Sequence, residues 1–192
     1  SEMCIRDSSK DEYTNQIKDA LKWLGLNWDE DIVLQSKNND RHQEMVAKML
    51  KDGTAYKCFL QKEELDNLRK ESEQRKEIFR VPQTFRNLSP EKEKGLIEEG
   101  KSFTVRLKVP KGETEFNDLV YGSIKVQNKD LDDFIIARSD GSPTYNFVVA
   151  VDDADMKISH VVRGDDHLAN TPKQILVYKA LGLDVPIFAH LP

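Results

Sequence analysis

An α/β fold is what this sequence predicts, and three observations carry it. Apolar residues recur at helical spacing in separate stretches, as at Met45, Val46, Met49 and Leu50 and again at Ile175, Leu176, Tyr178 and Leu181. Short β-branched or aromatic runs stand between and beyond them, at residues 134–137, 158–162 and 187–189. Glycines and turn dipeptides mark the changes of period. Strand and helix therefore alternate through the second half, the order expected when helices cover a sheet.

A chain of 192 residues suffices for one large domain or two small ones. No run approaches the roughly 20 apolar residues of a membrane span, and the amino-terminal SEMCIRDSSKDE has no apolar core that could act as a secretion signal. Two cysteines, Cys4 and Cys58, make neither a disulfide framework nor a metal quartet. A reducing, cytoplasmic setting without a membrane partner is the expectation. The net charge of −5 argues against indiscriminate nucleic-acid binding, but residues 54–112 carry 14 Lys and Arg against 10 Asp and Glu. That basic middle either meets a phosphate backbone locally or is a mixed, solvated helical surface.

Residues 1–8 show no periodicity and are expected to be unstructured or foreign. Ser9 and Glu12 have capping-box spacing. Ile17, Ala20, Leu21 and Leu24 form one helical stripe, and Gly25 is a plausible stop. A second helix is expected from Asp40 to Gly53. Trp23 and Trp28 read as core or interface aromatics.

Composition shifts near Thr54. Residues 63–76 predict a highly charged helix with few apolar positions, which packs weakly or meets a partner; the proline-bearing RVPQTFRNLSPEKEK follows. Phe103, Val105, Leu107 and Val109 alternate with Thr104, Arg106 and Lys108, predicting a half-buried strand whose Arg106 and Lys108 face solvent or phosphates. FNDLVYGSIKV reads as a hairpin about Tyr121-Gly122.

The densest chemistry lies in residues 138–167. Asp140-Gly141 is a turn dipeptide, and Ser142-Pro143 suits a helix start. The run at 158–162 delivers Arg163, Asp165, Asp166 and His167 at its carboxyl end, where open α/β sheets bind ligands. Arg163 suits a bidentate grip on a carboxylate, and Tyr145 offers a phenolic donor. Asp152 and Asp153 read as a solvated helix end or a brace rather than as catalytic acids. Thr171-Pro172 opens the next helix, whose first N–H groups are expected near the same edge, and Gly182 ends it. On spacing alone the cluster is a polar site at a strand end.

LDDFIIARSDGSPTYNFVVAVDD, followed by HVVRGDDHLANTPKQILVYKALG and PIFAHLP, resembles the catalytic core of bacterial-type glutamyl-tRNA synthetases, and the resemblance runs back to about Ser9. It implies part of a Rossmann-like class I synthetase catalytic domain, interrupted by an inserted α+β subdomain that binds the tRNA acceptor stem. The implied divisions are residues 9–53 for the helical part of the first half, 54–142 for the insertion and 143–192 for the second half. It also implies contacts to glutamate from Tyr145, Val149 and Arg163, and to ATP from Asp166 and His167. No side-chain nucleophile is called for, since catalysis is by positioning. ATP enters as substrate with Mg²⁺, and L-glutamate and the acceptor stem of tRNA(Glu) are the further partners. Many members of that family hold zinc through a Cys-x-Cys pair and a later Cys; here Cys58, Leu60 and Phe85 stand at those positions, so no zinc is expected.

The HIGH-type and KMSKS-type motifs of such enzymes do not occur, which predicts an internal fragment unable to aminoacylate alone. Three alternatives stay open at this point. One is the truncated paralogue that glutamylates a modified anticodon base, the second a non-catalytic tRNA-binding module. The third is a Mg²⁺-dependent phosphotransferase built on Asp152, Asp153, Asp165 and Asp166.

Overall fold

The computed structural model describes residues 11–29, 31–77 and 79–192, which fall into two compact units divided between Lys37 and Asn38. In the first, helix α1 (Asp11–Trp23) ends where Leu26 N–H reaches the Leu21 carbonyl and Gly25 takes a φ of +73°, a conformation that costs glycine little. The cap expected at Ser9 lies outside the described residues. Ile17 and Leu24 of the expected apolar stripe are exposed. Trp23 is 85% exposed, so it is no core residue, while Trp28 carries Lys22 Nζ 5.7 Å from its ring centroid.

The second unit opens with α2 (Asn39–Lys51), which buries His42, Met45, Val46 and Met49 along one face. Strand β1 (Ala55–Cys58) follows, then α3 (Lys62–Gln74), in which Ser72 is the buried residue. The proline-bearing segment contains a further helix, α4 (Pro90–Glu98), with Ser89 Oγ accepting from Lys92 N–H and Pro90 opening the first turn. Strands β2 (Thr104–Leu107), β3 (Glu113–Asp118) and β4 (Gly122–Gln127) come next. A single helical turn, α5 (Asn128–Leu131), leads into β5 (Ile135–Ala137). Then come α6 (Tyr145–Asp155), β6 (His160–Gly164), α7 (Thr171–Leu181) and β7 (Ile187–Leu191).

Two sheets result. One is antiparallel, in the order β1-β2-β5. The other runs β4-β3-β7-β6, with β7 parallel to both β6 and β3 and the β3–β4 hairpin antiparallel. The hairpin thus extends the sheet of β6 and β7. The main core joins α2, α6 and α7 to both sheets through Met49, Leu107, Ile136, Phe147, Val177 and Phe188.

Two expectations change. Helix α6 starts at Tyr145 with Thr144 as its cap, two residues later than Ser142-Pro143 suggested. Pro143 forms a bridge to Ala137, and Ser142 Oγ accepts from Arg138 instead. Strand β2 is covered on both faces: Arg106 is only 6% exposed, and its Nη1 donates to the Asp133 carbonyl at 2.7 Å. It therefore does not solvate the sheet. Finally, Cys58 is buried beside Tyr56 and Val81, with Leu60, Phe79 and Phe85 packed on them. The three positions discussed for zinc thus share one apolar cluster.

Asp133 ties this region together. Its Oδ1 accepts from Val109 N–H at 2.8 Å and from Arg86 Nη1 at 3.2 Å, and Tyr56 packs nearby with its phenol pushed above the ordinary value, first by burial and then by the Asp133 charge. Asp133→Ala removes an acceptor from a buried amide and a guanidinium and is expected to cost about 3 kcal/mol or more. Tyr56→Phe removes a buried hydroxyl that has no partner within 3.5 Å among the described residues and only a longer approach to Asp133, so it is expected within about 1 kcal/mol of wild type. Urea unfolding of the two variants checks both values.

Candidate functional site

The site is built at the carboxyl ends of three neighbouring strands. Parallel pairing sets Arg163 of β6 opposite His190 of β7, and the end of β3 brings Asp118 to the other side of β7. The β-branched Val161 and Val162 favour the extended backbone that carries Arg163 to the edge. Three side chains more than 25 residues apart in sequence thus stand in one row.

Their hydrogen bonds are continuous. Arg163 Nε donates to His190 Nε2 at 3.1 Å, and Arg163 Nη2 donates to Thr171 Oγ1 at 2.8 Å and to Gln174 Oε1 at 2.9 Å. The guanidinium carbon lies 5.6 Å from the centroid of the Phe188 ring, a cation–π contact. His190 Nδ1 lies 2.6 Å from Asp118 Oδ2. Asp118 Oδ1 accepts from the backbone N–H groups of Val120, Tyr121 and His190. Burial alone would push the Asp118 carboxyl up. The bond to His190 and the backbone donors outweigh it and hold the group at about 2.

Gln174 carries the row onward, its Nε2 donating to Asn146 Oδ1 at 3.2 Å in the first turn of α6. Tyr145, the preceding residue, is half-buried, and its ring centroid lies 6.3 Å from that of His167. Val149 follows one helical turn later, also half-buried. Tyr145 and Arg163 are therefore linked through Asn146 and Gln174, and neither is sealed in apolar surroundings.

The acidic pair has two environments. Asp165 accepts from the Tyr121 hydroxyl at 2.9 Å, a bond that raises the phenol's pKa. Asp166 is largely exposed, with an oxygen 3.6 Å from His167 Nε2. A Cβ at Gly164 would lie 2.6 Å from Asp166 Oδ1, so glycine is what lets this carboxylate fold over the strand end. The N-terminus of α7 is not open as expected. A 3-10 helix, Asp165–Asn170, runs straight into it, and Thr171 N–H bonds to Leu168.

Asp152 and Asp153 both act as braces, not as a solvated helix end. Asp152 Oδ1 accepts from Asn38 Nδ2 at 2.8 Å and sits 2.7 Å from His42 Nε2, tying α6 to α2. Asp153 accepts from the Tyr178 hydroxyl; burial raises its pKa, against lowering by that bond and by Arg163. Sequence reasoning did not single out Asp118, Gln174 or His190 for the site, and named Thr171 only as a helix start. Asp118 lies inside a hairpin signature and His190 inside a short apolar strand. Only parallel pairing makes them neighbours of Arg163.

Comparison with known proteins shows likeness over nearly the whole chain. A family model described as the catalytic domain of class I tRNA synthetases (E and Q) matches residues 6–192. The chain is 48% identical over 187 residues to a glutamate–tRNA ligase of Lawsonia intracellularis, covering 97% of this chain and 39% of that protein. It is 50% identical over 187 residues to the corresponding ligase of Aquifex aeolicus, with the same coverage. A crystal structure of a glutamate tRNA ligase from Elizabethkingia meningosepticum in complex with its amino acid superposes with a TM-score of 0.85 at 34% identity, over 95% of this chain and 39% of that one. The chain thus spans about two fifths of the length of the relatives it matches.

The Asp118 geometry sets a pH dependence. Its folded value of about 2 lies below the ordinary 3.8, so on acidification the unfolded chain takes up the proton first. The stabilisation, about 2 kcal/mol, is complete above roughly pH 4 and is lost as the pH falls through about 2. Unfolding free energies of wild type and Asp118→Asn are therefore expected to converge between those limits; a constant gap contradicts this account.

Proposed function

Because the chain belongs to the catalytic-domain family of class I tRNA synthetases for E and Q, we propose that its strand-end site binds L-glutamate beside ATP in a glutamate–tRNA ligase. The observation that carries this reading is Arg163. A guanidinium held at Nε and Nη2 by His190, Thr171 and Gln174 is a fixed cation at the edge where a small diacid arrives. With its Nε–H and both Nη2 hydrogens already donated inside the protein, it would meet that carboxylate as a fixed positive charge rather than through a bidentate fork. Tyr145 supplies a neutral donor from the α6 side, and Val149 contributes shape. Asp166 and His167, on the 3-10 helix after β6, line the nucleotide side.

The reaction is a two-step acyl transfer. The glutamate α-carboxylate attacks the α-phosphorus of ATP, forming glutamyl-adenylate as the bond to pyrophosphate breaks. A terminal ribose hydroxyl of tRNA(Glu) then takes the glutamyl group, and AMP leaves. Neither step needs a side-chain nucleophile, and the protein's contribution is orientation and charge. Among the described residues no three His, Cys, Asp or Glu are grouped to hold a metal ion. Mg²⁺ would enter with the ATP phosphates, whose charge it would neutralise. No zinc is assigned.

Residues 54–142 are assigned to the acceptor stem, between catalytic halves at 9–53 and 143–192. A cleft of about 360 Å³ lined by Arg80, Arg86, Lys111 and Lys129, with Asp132 and Asp133, supports a phosphate contact there. Among the described residues no helix is long and apolar enough to cross a membrane, and the reaction belongs to the cytoplasm, where tRNA is charged.

Two measurements on the full reading frame that carries this chain test the proposal. In glutamate-dependent ATP–pyrophosphate exchange, Arg163→Ala is expected to raise the KM for glutamate by about 10- to 100-fold, and Tyr145→Phe by less than about 10-fold. Unchanged kinetics in Arg163→Ala would sink the assignment. For tRNA, Lys111→Gln with Lys129→Gln is expected to lower the slope of log affinity against log salt by about one to two.

A further inference from the structure

Arg163 cannot accept a hydrogen bond, because every guanidinium nitrogen is a donor. Its Nε–H points at His190 Nε2, so that nitrogen must present a lone pair. The ring hydrogen is then on Nδ1, facing Asp118 Oδ2 at 2.6 Å. Thr171 agrees with this tautomer. Its hydroxyl oxygen receives Arg163 Nη2 and lies 3.0 Å from His190 Nε2, so its one hydrogen is directed to the same lone pair. The alternative acceptor, the His167 carbonyl, is farther at 3.5 Å.

We propose that Asp118 and His190 are positioning residues for substrate: the buried carboxylate selects the Nδ1–H tautomer of His190, and that tautomer fixes the plane in which Arg163 meets the ligand carboxylate. The inference rests on the assignment of Arg163 to glutamate and goes beyond it by naming what orients the group. Both members are shut away from water, His190 at 0% and Asp118 at 1% exposure, so solvent does not compete for either nitrogen. Asp118 is itself immobilised by three backbone donors. A planar group pinned at Nε and Nη2 has no torsional freedom left. The opposite tautomer would set N–H against N–H and turn the guanidinium away.

Two readouts separate this role from a merely structural one. Long-range ¹H–¹⁵N spectra of the chain, with the His190 signals identified by their loss in His190→Gln, are expected to show Nδ1 protonated and Nε2 bare near neutral pH. Asp118→Asn keeps an oxygen for the backbone donors but can offer an N–H to the ring, so it is expected to populate the Nε2–H form. In the full reading frame, Asp118→Asn and His190→Leu should raise the glutamate KM by about 10-fold while kcat changes less than about threefold. His190→Gln restores an acceptor and should recover most of that loss. A wild-type ring protonated on Nε2 overturns the inference. So does a tautomer shift that leaves the glutamate KM unmoved while Arg163→Ala still raises it, an outcome under which the glutamate assignment survives. If Arg163→Ala also leaves KM unchanged, both fall together.

Discussion

Parallel pairing of β6 with β7 is the constraint on which the site depends. It sets Arg163 against His190, and a slip of one residue would turn either side chain to the other face of the sheet. The parallel contact of β3 with β7 then brings Asp118 into line. Because all three strands run the same way, their carboxyl ends meet at one edge. A guanidinium there has acceptors on the sheet side and stands at the edge where open α/β sheets bind ligands.

The helices serve that edge rather than merely covering it. Helix α7 lays Thr171 and Gln174 beneath Arg163, and Gln174 reaches across to Asn146 at the start of α6. Helix α6 is in turn anchored to α2 by the buried Asp152–His42 contact and by Asn38. Tyr145 therefore has its position set by a polar bridge at one end of α6 and a second near the other. Such fully bonded buried networks are costly to disturb, since each lost partner leaves another polar group without one.

Much of this was legible in the chain. The helices α2 and α7, the hairpin at Tyr121-Gly122 and the strand ends carrying Arg163 and His190 follow from apolar period, β-branching and glycine placement. The residues of the RGDDH run are where the chain suggested, at a strand end beside Tyr145. Other features were hidden because they are long-range. Arg106 sits in an alternating pattern that reads as half-exposed, yet it is buried, with its Nη1 donating to the Asp133 carbonyl. Ile17 and Leu24 of the stripe on α1 are exposed, because amphipathic spacing names a face without naming what covers it.

The sequence by itself determined the RGDDH run at a strand end and the starts of helices such as α7, and its likeness over nearly the whole length determined the family. Local chemistry suffices for that, since caps, turns and periods are encoded within a few neighbouring residues. Only the tertiary structure decided that Asp118, Arg163 and His190 share one hydrogen-bonded row. Partners 72 residues apart, as Asp118 and His190 are, leave no local pattern. What brings them together is the register of strands across a sheet, and that is set by the packing of the whole core.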